Sequence, residues 1–275
     1  MIDYDKYRVG FLNRQTILLL LTNGVKSDVF LKLQQEYIKE LEEQVDPDDK
    51  IFDTLPCGYS LYSTKELIKD CHENKIEVQN EPFVKAVVET LKVRAFVNLK
   101  QKANILVRDS VRVFGVLDEY GILNHGEIYL CISPSNGKDS QDYKIIEIDK
   151  VIVTKNPCLY LGDIRVLKAV RNKQTEKHFK HLINCIVFSS KCPRPHTNEI
   201  AASDLDGDMY FIGWNPLLIP PKIARPMSYR ALKTEDKSAT NEDIINFFVE
   251  FSNNDQLGKI DNAHLSCCRS KNACQ

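Results

Sequence analysis

Apolar residues in the first hundred positions recur at helical spacing. Ser27 or Asp28 can cap a helix whose apolar residues fall three or four positions apart, at Phe30, Leu33, Tyr37 and Leu41. A second helix is predicted from Pro82 to Leu99, with one face made of Phe83, Val87, Leu91 and Ala95. Both stripes are expected to pack into a core, and neither implies a cofactor.

The pattern changes near residue 104 to short runs rich in β-branched and aromatic residues. The predicted strands are Ile105–Val107, Val111–Leu117, Glu127–Ile132, Ile145–Ile148, Val151–Thr154, Ile164–Val170, Ile183–Phe188 and Met209–Trp214. Glycine, proline, asparagine and aspartate separate these runs, as at positions 118–121. Many short strands with irregular connections predict a compact β-barrel.

Proline punctuates the chain after Trp214, at positions 216, 220, 221 and 226, and predicts a stiff linker. Helical spacing returns from Asn241 to Phe251, with a packing face predicted at Ile244, Phe247, Phe248 and Phe251. Three parts are therefore predicted: a mainly helical segment over residues 1–103, the barrel over 104–214, and a linker with the start of a helical region over 215–275.

Charge is polarised along the chain, although the net charge is only −1. Residues 150–198 contain ten basic and two acidic residues, a balance of +8 that suits phosphate-bearing partners as well as an ordinary solvated surface. The densest apolar run, residues 17–21, is too short to span a bilayer. Nine cysteines show no CxxC spacing, so we expect reduced thiols in an intracellular protein, cytoplasmic or nuclear, without a membrane partner.

Three carboxylates within five residues form the cluster that most demands a chemical explanation: Asp204, Asp206 and Asp208. Held together they repel one another, so bringing them close costs free energy unless a cation lies between them. Carboxylate oxygens suit Mg²⁺, with Mn²⁺ as the alternative ion. Gly207 permits the tight turn that would aim all three at one point. The alternative without a chemical role is a solvent-exposed acidic turn.

Two other metal motifs share letters with this cluster. An EF-hand loop places glycine after its third acid and a glutamate at position twelve, whereas here Gly207 lies inside the triplet and Asn215 occupies position twelve. That interpretation fails. Phosphatases of the haloacid dehalogenase family resemble DxDGT, but Asp208 replaces the threonine and the alternating strand–helix pattern is missing. This phosphatase remains a weak alternative.

Pro193-Arg194-Pro195-His196 precedes the acidic cluster, and an apolar strand from Met209 follows it. Together with the three acids, these flanks resemble the catalytic motif of eukaryotic RNA-dependent RNA polymerases of the RNA-silencing type. Further segments match family patterns in order: residues 12–15 (LNRQ), 115–121 (GVLDEYG), 126–127 (GE), 153–159 (VTKNPCL), 162–169 (GDIRVLKA), 254–260 (NDQLGKI) and 262–264 (NAH). The resemblance therefore covers nearly the whole chain.

Several positions depart from the family pattern. Val111 stands where an arginine is common, Thr197 replaces a proline, and Ala202 occupies a frequent glycine position. Tyr160-Leu161 stands where His-Pro is common, and Cys192 where glycine is common. No departure removes a carboxylate, so they bear on template contacts more than on the metal ligands.

The resemblance implies an α+β fold in which this chain supplies a double-psi β-barrel, the second of two polymerase barrels, flanked by helical segments. It also implies template-directed RNA synthesis from nucleoside triphosphates, with two Mg²⁺ ions held by the three aspartates. A single-stranded RNA template and small-RNA pathway proteins are the expected partners. The first barrel is expected N-terminal to this one, and no segment of the chain matches it. The isolated chain is therefore expected to be inactive if it is only a fragment.

The same resemblance supplies the remaining candidate residues. Cations expected to contact RNA or nucleotide are Lys155, Arg165, Lys168 and Arg194. His196 is expected either to donate a proton near the leaving pyrophosphate or to form structural hydrogen bonds. Asn198 and Glu199 are expected to brace the loop. The rival function from another class is an inactive polymerase fragment that serves as an RNA-binding or scaffold module.

Overall fold

The computed structural model describes residues 7–43, 70–71, 73–74, 81–133, 143–191, 193–229, 239–254 and 256–268. The chain divides into two compact units, Met1–Met227 and Ser228–Gln275. Within its described residues, the first unit contains the helices α1 (Arg14–Thr22), α2 (Ser27–Glu43), α3 (Pro82–Lys102), α4 (Lys173–Phe179) and α5 (His196–Glu199). The three-part division predicted at residues 103 and 214 stays a prediction.

Six strands of the first unit close into a mixed barrel, in the order β2-β7-β3-β6-β5-β8 and back to β2. The strands are β1 (Val9–Leu12), β2 (Ile105–Leu117), β3 (Glu127–Ile132), β4 (Lys144–Ile145), β5 (Ile148–Lys155), β6 (Arg165–Ala169), β7 (Cys185–Phe188) and β8 (Met209–Gly213). β1 and β4 lie outside the ring, paired with β2 and β3 respectively. The long β2 closes the ring because its middle pairs with β8 and its end with β7.

Alternation of apolar side chains along the strands fills the barrel from inside and covers it from outside. Ile128 and Leu130 point into the barrel core, while Tyr129 between them packs on the outside. In β8, Tyr210 and Ile212 are interior and Phe211 is exterior. This period of two is the pattern expected of strands whose two faces are both covered. Tyr210 and Phe211 are therefore core residues.

Helices α1 to α3 cover one side of the barrel, against β1 and the first half of β2. The face predicted for α2 is confirmed, because Phe30, Leu33, Tyr37 and Leu41 are all buried. The face predicted for α3 is wrong at its start: Phe83 is 61% exposed, and Val84 and Val88 are buried instead. Apolar residues occupy adjacent positions there, so spacing alone does not define which side faces the core.

Most of the predicted strands overlap observed strands, but β1 was not predicted and two further strand predictions are corrected by the structure. Residues 145–148 do not form one strand: β4 ends at Ile145 after pairing with β3, and β5 begins at Ile148, two residues of irregular backbone later. The two runs predicted at 105–107 and 111–117 are a single strand. In the part of the chain that the structure describes, no helix has the length and apolarity needed to cross a bilayer.

The part of the second unit that the structure describes contains two helices, α6 (Asn241–Asn254) and α7 (Leu257–Cys268). The packing face predicted for α6 is wrong for the described residues. Its four apolar side chains at positions 244, 247, 248 and 251 are between 56% and 68% exposed. Helical spacing of apolar residues identifies the face of a helix that could pack, but only tertiary contacts determine whether that face is buried.

Candidate metal centre

The three aspartates lie on the loop that connects α5 to β8. Left-handed backbone at Leu205 (φ +67°) and Gly207 (φ +119°) turns this loop sharply between successive acids. Carboxylate oxygens of Asp204, Asp206 and Asp208 all come within 4.8 Å of one another. The three side chains therefore converge at one point, as expected from the sequence. Their role as metal ligands stays a prediction.

Leu205 anchors the loop between two of the acids. Its side chain packs against the barrel core beside Gly115 of β2, where an added Cβ would lie only 2.7 Å from a Leu205 methyl carbon. The Gly115 amide also donates to the carbonyl of Asp208, at 3.4 Å. Asp204 and Asp206 are exposed on either side of Leu205. One partly buried apolar side chain between two exposed carboxylates fixes the loop to the barrel end, while the carboxylates face outward.

Mutual repulsion leaves the cluster electrostatically suited to a cation. The charge of Asp204, and then a hydrogen bond shared with it, raises the pKa of Asp206, while Lys155 acts in the opposite direction. The donor set consists only of carboxylate oxygens, which are the ligands that Mg²⁺ and Mn²⁺ prefer. These residues therefore fit a hard divalent cation, and among the described residues they form the one acid, histidine or cysteine group close enough to hold a metal ion.

Lys155, at the end of β5, contacts the third acid. Its Nζ donates to Asp208 Oδ1 and Oδ2, each at 2.9 Å. The side chains are 13% and 17% exposed, so water screens the pair only partly. Backbone pairing of Lys155 with Tyr210 in β8 brings the two residues together. Of the five candidate RNA or nucleotide contacts, Lys155 is the one that the structure places directly on the acidic cluster.

Residues from α1 hold the turn that follows Lys155. Asn13, which caps α1, donates through its side-chain amide to Asn156 Oδ1 at 2.8 Å. Gln15 accepts from the amide of Cys158 at 3.3 Å. The LNRQ segment (residues 12–15) therefore contacts the segment that follows Lys155.

Tyr210 ties the start of the acidic loop to β8. Its ring lies inside the barrel, edge-on to Phe188 at 4.8 Å between centroids, and its hydroxyl hydrogen-bonds Ser203 Oγ. Burial, together with the charges of the three acids, raises the pKa of Tyr210, so the phenol stays protonated. This contact was not predicted from the sequence.

His196 is buried, and both of its ring nitrogens have protein partners. Nε2 accepts the Gly126 amide hydrogen at 2.9 Å, so Nδ1 carries the proton and donates it to Glu199 at 2.8 Å. Burial lowers the pKa of His196, although Glu199 opposes this. The contacts favour the structural alternative among the two roles considered for this residue.

Arg165 and Arg194 contact the same short helix. Arg165 Nε lies 3.4 Å from Glu199 Oε2, and Arg194 Nε donates to Asn198 Oδ1 at 2.8 Å. Both arginines are partly buried. Their predicted contact with RNA or nucleotide stays a prediction, as does the bracing role of Asn198 and Glu199.

Lys168 lies toward the opposite end of the barrel from Lys155. Its neighbour Leu167 pairs with Val151, four residues before Lys155 on β5, which corresponds to roughly 13 Å along the strand. Lys168 is exposed and pairs with Asp149 at 2.8 Å. The structure therefore does not bring Lys168 to the acidic cluster, although it lies in a family-like motif.

Comparison with known proteins places these features in a family context. The sequence model described as RNA dependent RNA polymerase matches residues 1–275. Probable RNA-dependent RNA polymerase 1 of Oryza sativa subsp. japonica is 37% identical over 270 residues, a match that covers 96% of this chain and 35% of the relative. RNA-dependent RNA polymerase 6 of Arabidopsis thaliana is 33% identical over 278 residues, covering 96% of this chain and 23% of the relative. The chain thus spans about a quarter to a third of these relatives.

A solved structure shares the fold. The RNA dependent RNA polymerase QDE-1 from Thielavia terrestris superposes with a TM-score of 0.57 at 20% identity, over 85% of this chain and 27% of that one. With the closed mixed barrel, this likeness confirms the predicted class, α+β with a double-psi β-barrel and flanking helices. The phosphatase alternative gains no support, because the barrel lacks the alternating strands and helices which that fold requires.

Proposed function

The chain belongs to the RNA-dependent RNA polymerase family, and we propose that it supplies the metal-binding barrel of an enzyme that synthesises RNA on a template. The observation that carries the proposal is the convergence of Asp204, Asp206 and Asp208 within 4.8 Å on the barrel end. In the two-barrel arrangement expected for the family, this barrel is the second. The substrates are nucleoside triphosphates and a single-stranded RNA template.

The three aspartates would hold a pair of Mg²⁺ ions, or Mn²⁺ ions in their place. When bound, such a pair increases the acidity of an attacking 3′-hydroxyl and stabilises charge on the leaving pyrophosphate. Placement of the ligands falls to the protein: Gly207 allows the turn, and Leu205 fixes the loop to the barrel. Because the loop is held by packing, its carboxylates need little reorganisation to bind a cation.

Lys155 contributes a fixed positive charge beside these ligands. Its two hydrogen bonds orient Asp208, and its ammonium lies where negative charge is already concentrated. An ammonium next to a metal site can also attract a triphosphate by charge, without selecting a base. Lys155 therefore has the strongest geometric support among the candidate nucleotide contacts.

Polymerase activity is proposed for the full-length protein that contains this segment. Small-RNA amplification, with RNA-silencing proteins as partners, is the biological process proposed on the strength of the family. The non-catalytic alternative, an RNA-binding or scaffold module, makes a different experimental prediction, because it needs RNA affinity and no metal-dependent chemistry.

Incorporation of labelled nucleotides by the full-length protein on a single-stranded RNA template tests the proposal. We expect incorporation that requires template, all four nucleotides and Mg²⁺ or Mn²⁺. RNA binding without incorporation at any concentration of either metal would overturn the enzyme proposal in favour of the scaffold. An Asp204→Asn variant serves as the control for contaminating polymerases, since its product must disappear.

A further inference from the structure

A segment at residues 215–227, here called the strap, returns from β8 across the first unit. Leu218 is fully buried, and the Lys222 amide donates to the Asn23 carbonyl at 3.3 Å. Gly24 packs against Pro221. The backbone at Arg225 runs so close to Gly162 that a Cβ on this glycine would collide with the Arg225 carbonyl. The strap is therefore a fitted part of the unit, where the sequence suggested only a stiff linker.

Two arginines each bridge the strap and helix α5. Arg165 donates from Nη1 to the Ala224 carbonyl at 3.0 Å, while its Nε faces Glu199 at ion-pair distance. Arg194 donates from Nη2 to the Met227 carbonyl at 2.6 Å. The same Arg194 guanidinium donates to both the side chain and the carbonyl of Asn198, at 2.8 and 3.1 Å. Each guanidinium thus contacts α5 on one side and strap carbonyls on the other.

Helix α5 leads directly into the acidic loop. Ile200 and Ser203 donate their amides back to the helix, Ser203 to the Thr197 carbonyl at 3.1 Å. Asp204 follows at the next position. A displacement of α5 would therefore move the first metal ligand with it.

On the basis of the proposed function, we infer that Arg165 and Arg194 are positioning residues for the metal ligands. They hold α5, and through it the acidic loop, against the strap. Their planar guanidinium groups can donate in two directions at once, which a lysine ammonium on a flexible stem does not reproduce. This role differs from phosphate binding, since Nη1 of Arg165 and both Nε and Nη2 of Arg194 donate to oxygens of the protein itself.

Gly162 offers a way to disturb the strap without touching a charge or the loop. Gly162→Ala forces the backbone near Arg225 to shift, and this shift moves the carbonyls that Arg165 and Arg194 contact. A positioning role predicts that Gly162→Ala has the same defect as Arg165→Gln and Arg194→Gln. A phosphate-binding role predicts no effect of Gly162→Ala, because alanine changes no charge.

The test uses the full-length protein and two measurements. Mn²⁺ affinity is followed by electron paramagnetic resonance, and kcat and KM for nucleotides are followed by RNA extension. We expect Arg165→Gln, Arg194→Gln and Gly162→Ala each to weaken Mn²⁺ binding about tenfold and to lower kcat about ten- to a hundredfold, because small misplacements of ligands are costly. The KM for nucleotides and the salt dependence of RNA binding should stay within about twofold of wild type. Arg108→Gln, which removes an exposed ion pair with Glu40, is the matched control.

Other outcomes would overturn the inference. Wild-type Mn²⁺ affinity in both arginine variants, with a raised nucleotide KM or a flatter salt dependence, would make them phosphate ligands. Full rescue by Arg165→Lys and Arg194→Lys would show that charge alone is needed. These results differ from failure of the proposed function, in which the wild-type protein itself would neither bind Mn²⁺ at the loop nor extend RNA. Variants are compared at a temperature where circular dichroism shows them folded; if none folds, the lysine variants decide the question.

Discussion

Lys155 Nζ lies 2.9 Å from each carboxylate oxygen of Asp208, although the two residues are 53 positions apart in the chain. The antiparallel pairing of β5 with β8 creates this contact. The Lys155 ammonium is therefore hydrogen-bonded to a carboxylate that is also proposed to bind a metal ion. A metal ion bound there would compete electrostatically with Lys155, whose two hydrogen bonds hold Asp208 in place.

Substitution Lys155→Met should separate these two effects. Without metal, loss of a charged hydrogen-bonded pair should lower the free energy of unfolding by about 1–3 kcal/mol. Metal binding should tighten by about tenfold, because a positive charge near the ligands is removed. Polymerase activity should nevertheless fall, since the nucleotide phosphates lose a cation. Calorimetric Mn²⁺ titration and chemical denaturation measure the first two quantities, and Lys155→Arg is the charge-retaining control. Weaker metal binding in Lys155→Met would contradict competition.

The hydrogen bond between Tyr210 and Ser203 is predicted to stabilise the start of the acidic loop. Tyr210→Phe and Ser203→Ala should each lower the free energy of unfolding by about 1 kcal/mol, because each substitution removes one hydroxyl and leaves the other buried hydroxyl without its hydrogen-bond partner. In a double-mutant cycle by urea denaturation, the double variant should lose clearly less than the sum of the single losses. Strict additivity would show that the two hydroxyls do not interact.

The absence of a side chain at Gly115 is predicted to be required for Leu205 to pack against the barrel. Gly115→Ala adds a methyl group that contacts the Leu205 side chain and the Tyr210 ring, and such overpacking costs about 1–3 kcal/mol. The midpoint temperature of thermal unfolding and the affinity for Mn²⁺ should both decrease. Gly258→Ala is the control, because nothing lies within 4 Å of its added Cβ. Equal behaviour of the two variants would remove the proposed role of Leu205 as the anchor of the loop.

His196 is predicted to make stability depend on pH. Burial lowers its folded-state pKa below the ordinary 6.5, so the unfolded chain takes up the proton first as pH falls. The contribution of the neutral His196 ring to the free energy of unfolding is therefore fully present above about pH 6.5, and it is lost as the pH falls toward and through the folded-state pKa. Urea denaturation between about pH 7.5 and 5 should show a smaller pH dependence in His196→Gln than in wild type. The exposed His181→Gln control should keep the wild-type slope; an unchanged slope in His196→Gln would refute the prediction.

The strands of the barrel were predictable because they are short runs rich in β-branched and aromatic residues, separated by glycine, proline, asparagine and aspartate. Helix α3 shows the limit of such patterns. Apolar side chains occur at both Phe83 and Val84, and only packing against the barrel side selects Val84. Likewise, the apolar spacing of α6 marked a face but could not show that its side chains would be exposed.

The acidic cluster was predictable because its three members are nearly contiguous in sequence. Contacts between distant residues were not. Lys155 was a candidate because of its motif, but its partner Asp208 follows from strand pairing that no local pattern reveals. Arg165 and Arg194 looked like surface cations, whereas contacts with a proline-rich segment draw them into the structure.

The central claim, that the three-aspartate loop is the metal centre of RNA synthesis, is tested most directly by Asp206→Asn. The measurement is the rate of RNA extension by the full-length protein on a single-stranded template, across a range of Mg²⁺ concentrations, beside the exposed-acid control Asp28→Asn. We expect Asp28→Asn to match wild type and Asp206→Asn to be slower by about a thousandfold or more, because a ligand of the catalytic metal is lost. Extension by Asp206→Asn at the wild-type rate and with the wild-type Mg²⁺ dependence would contradict the claim.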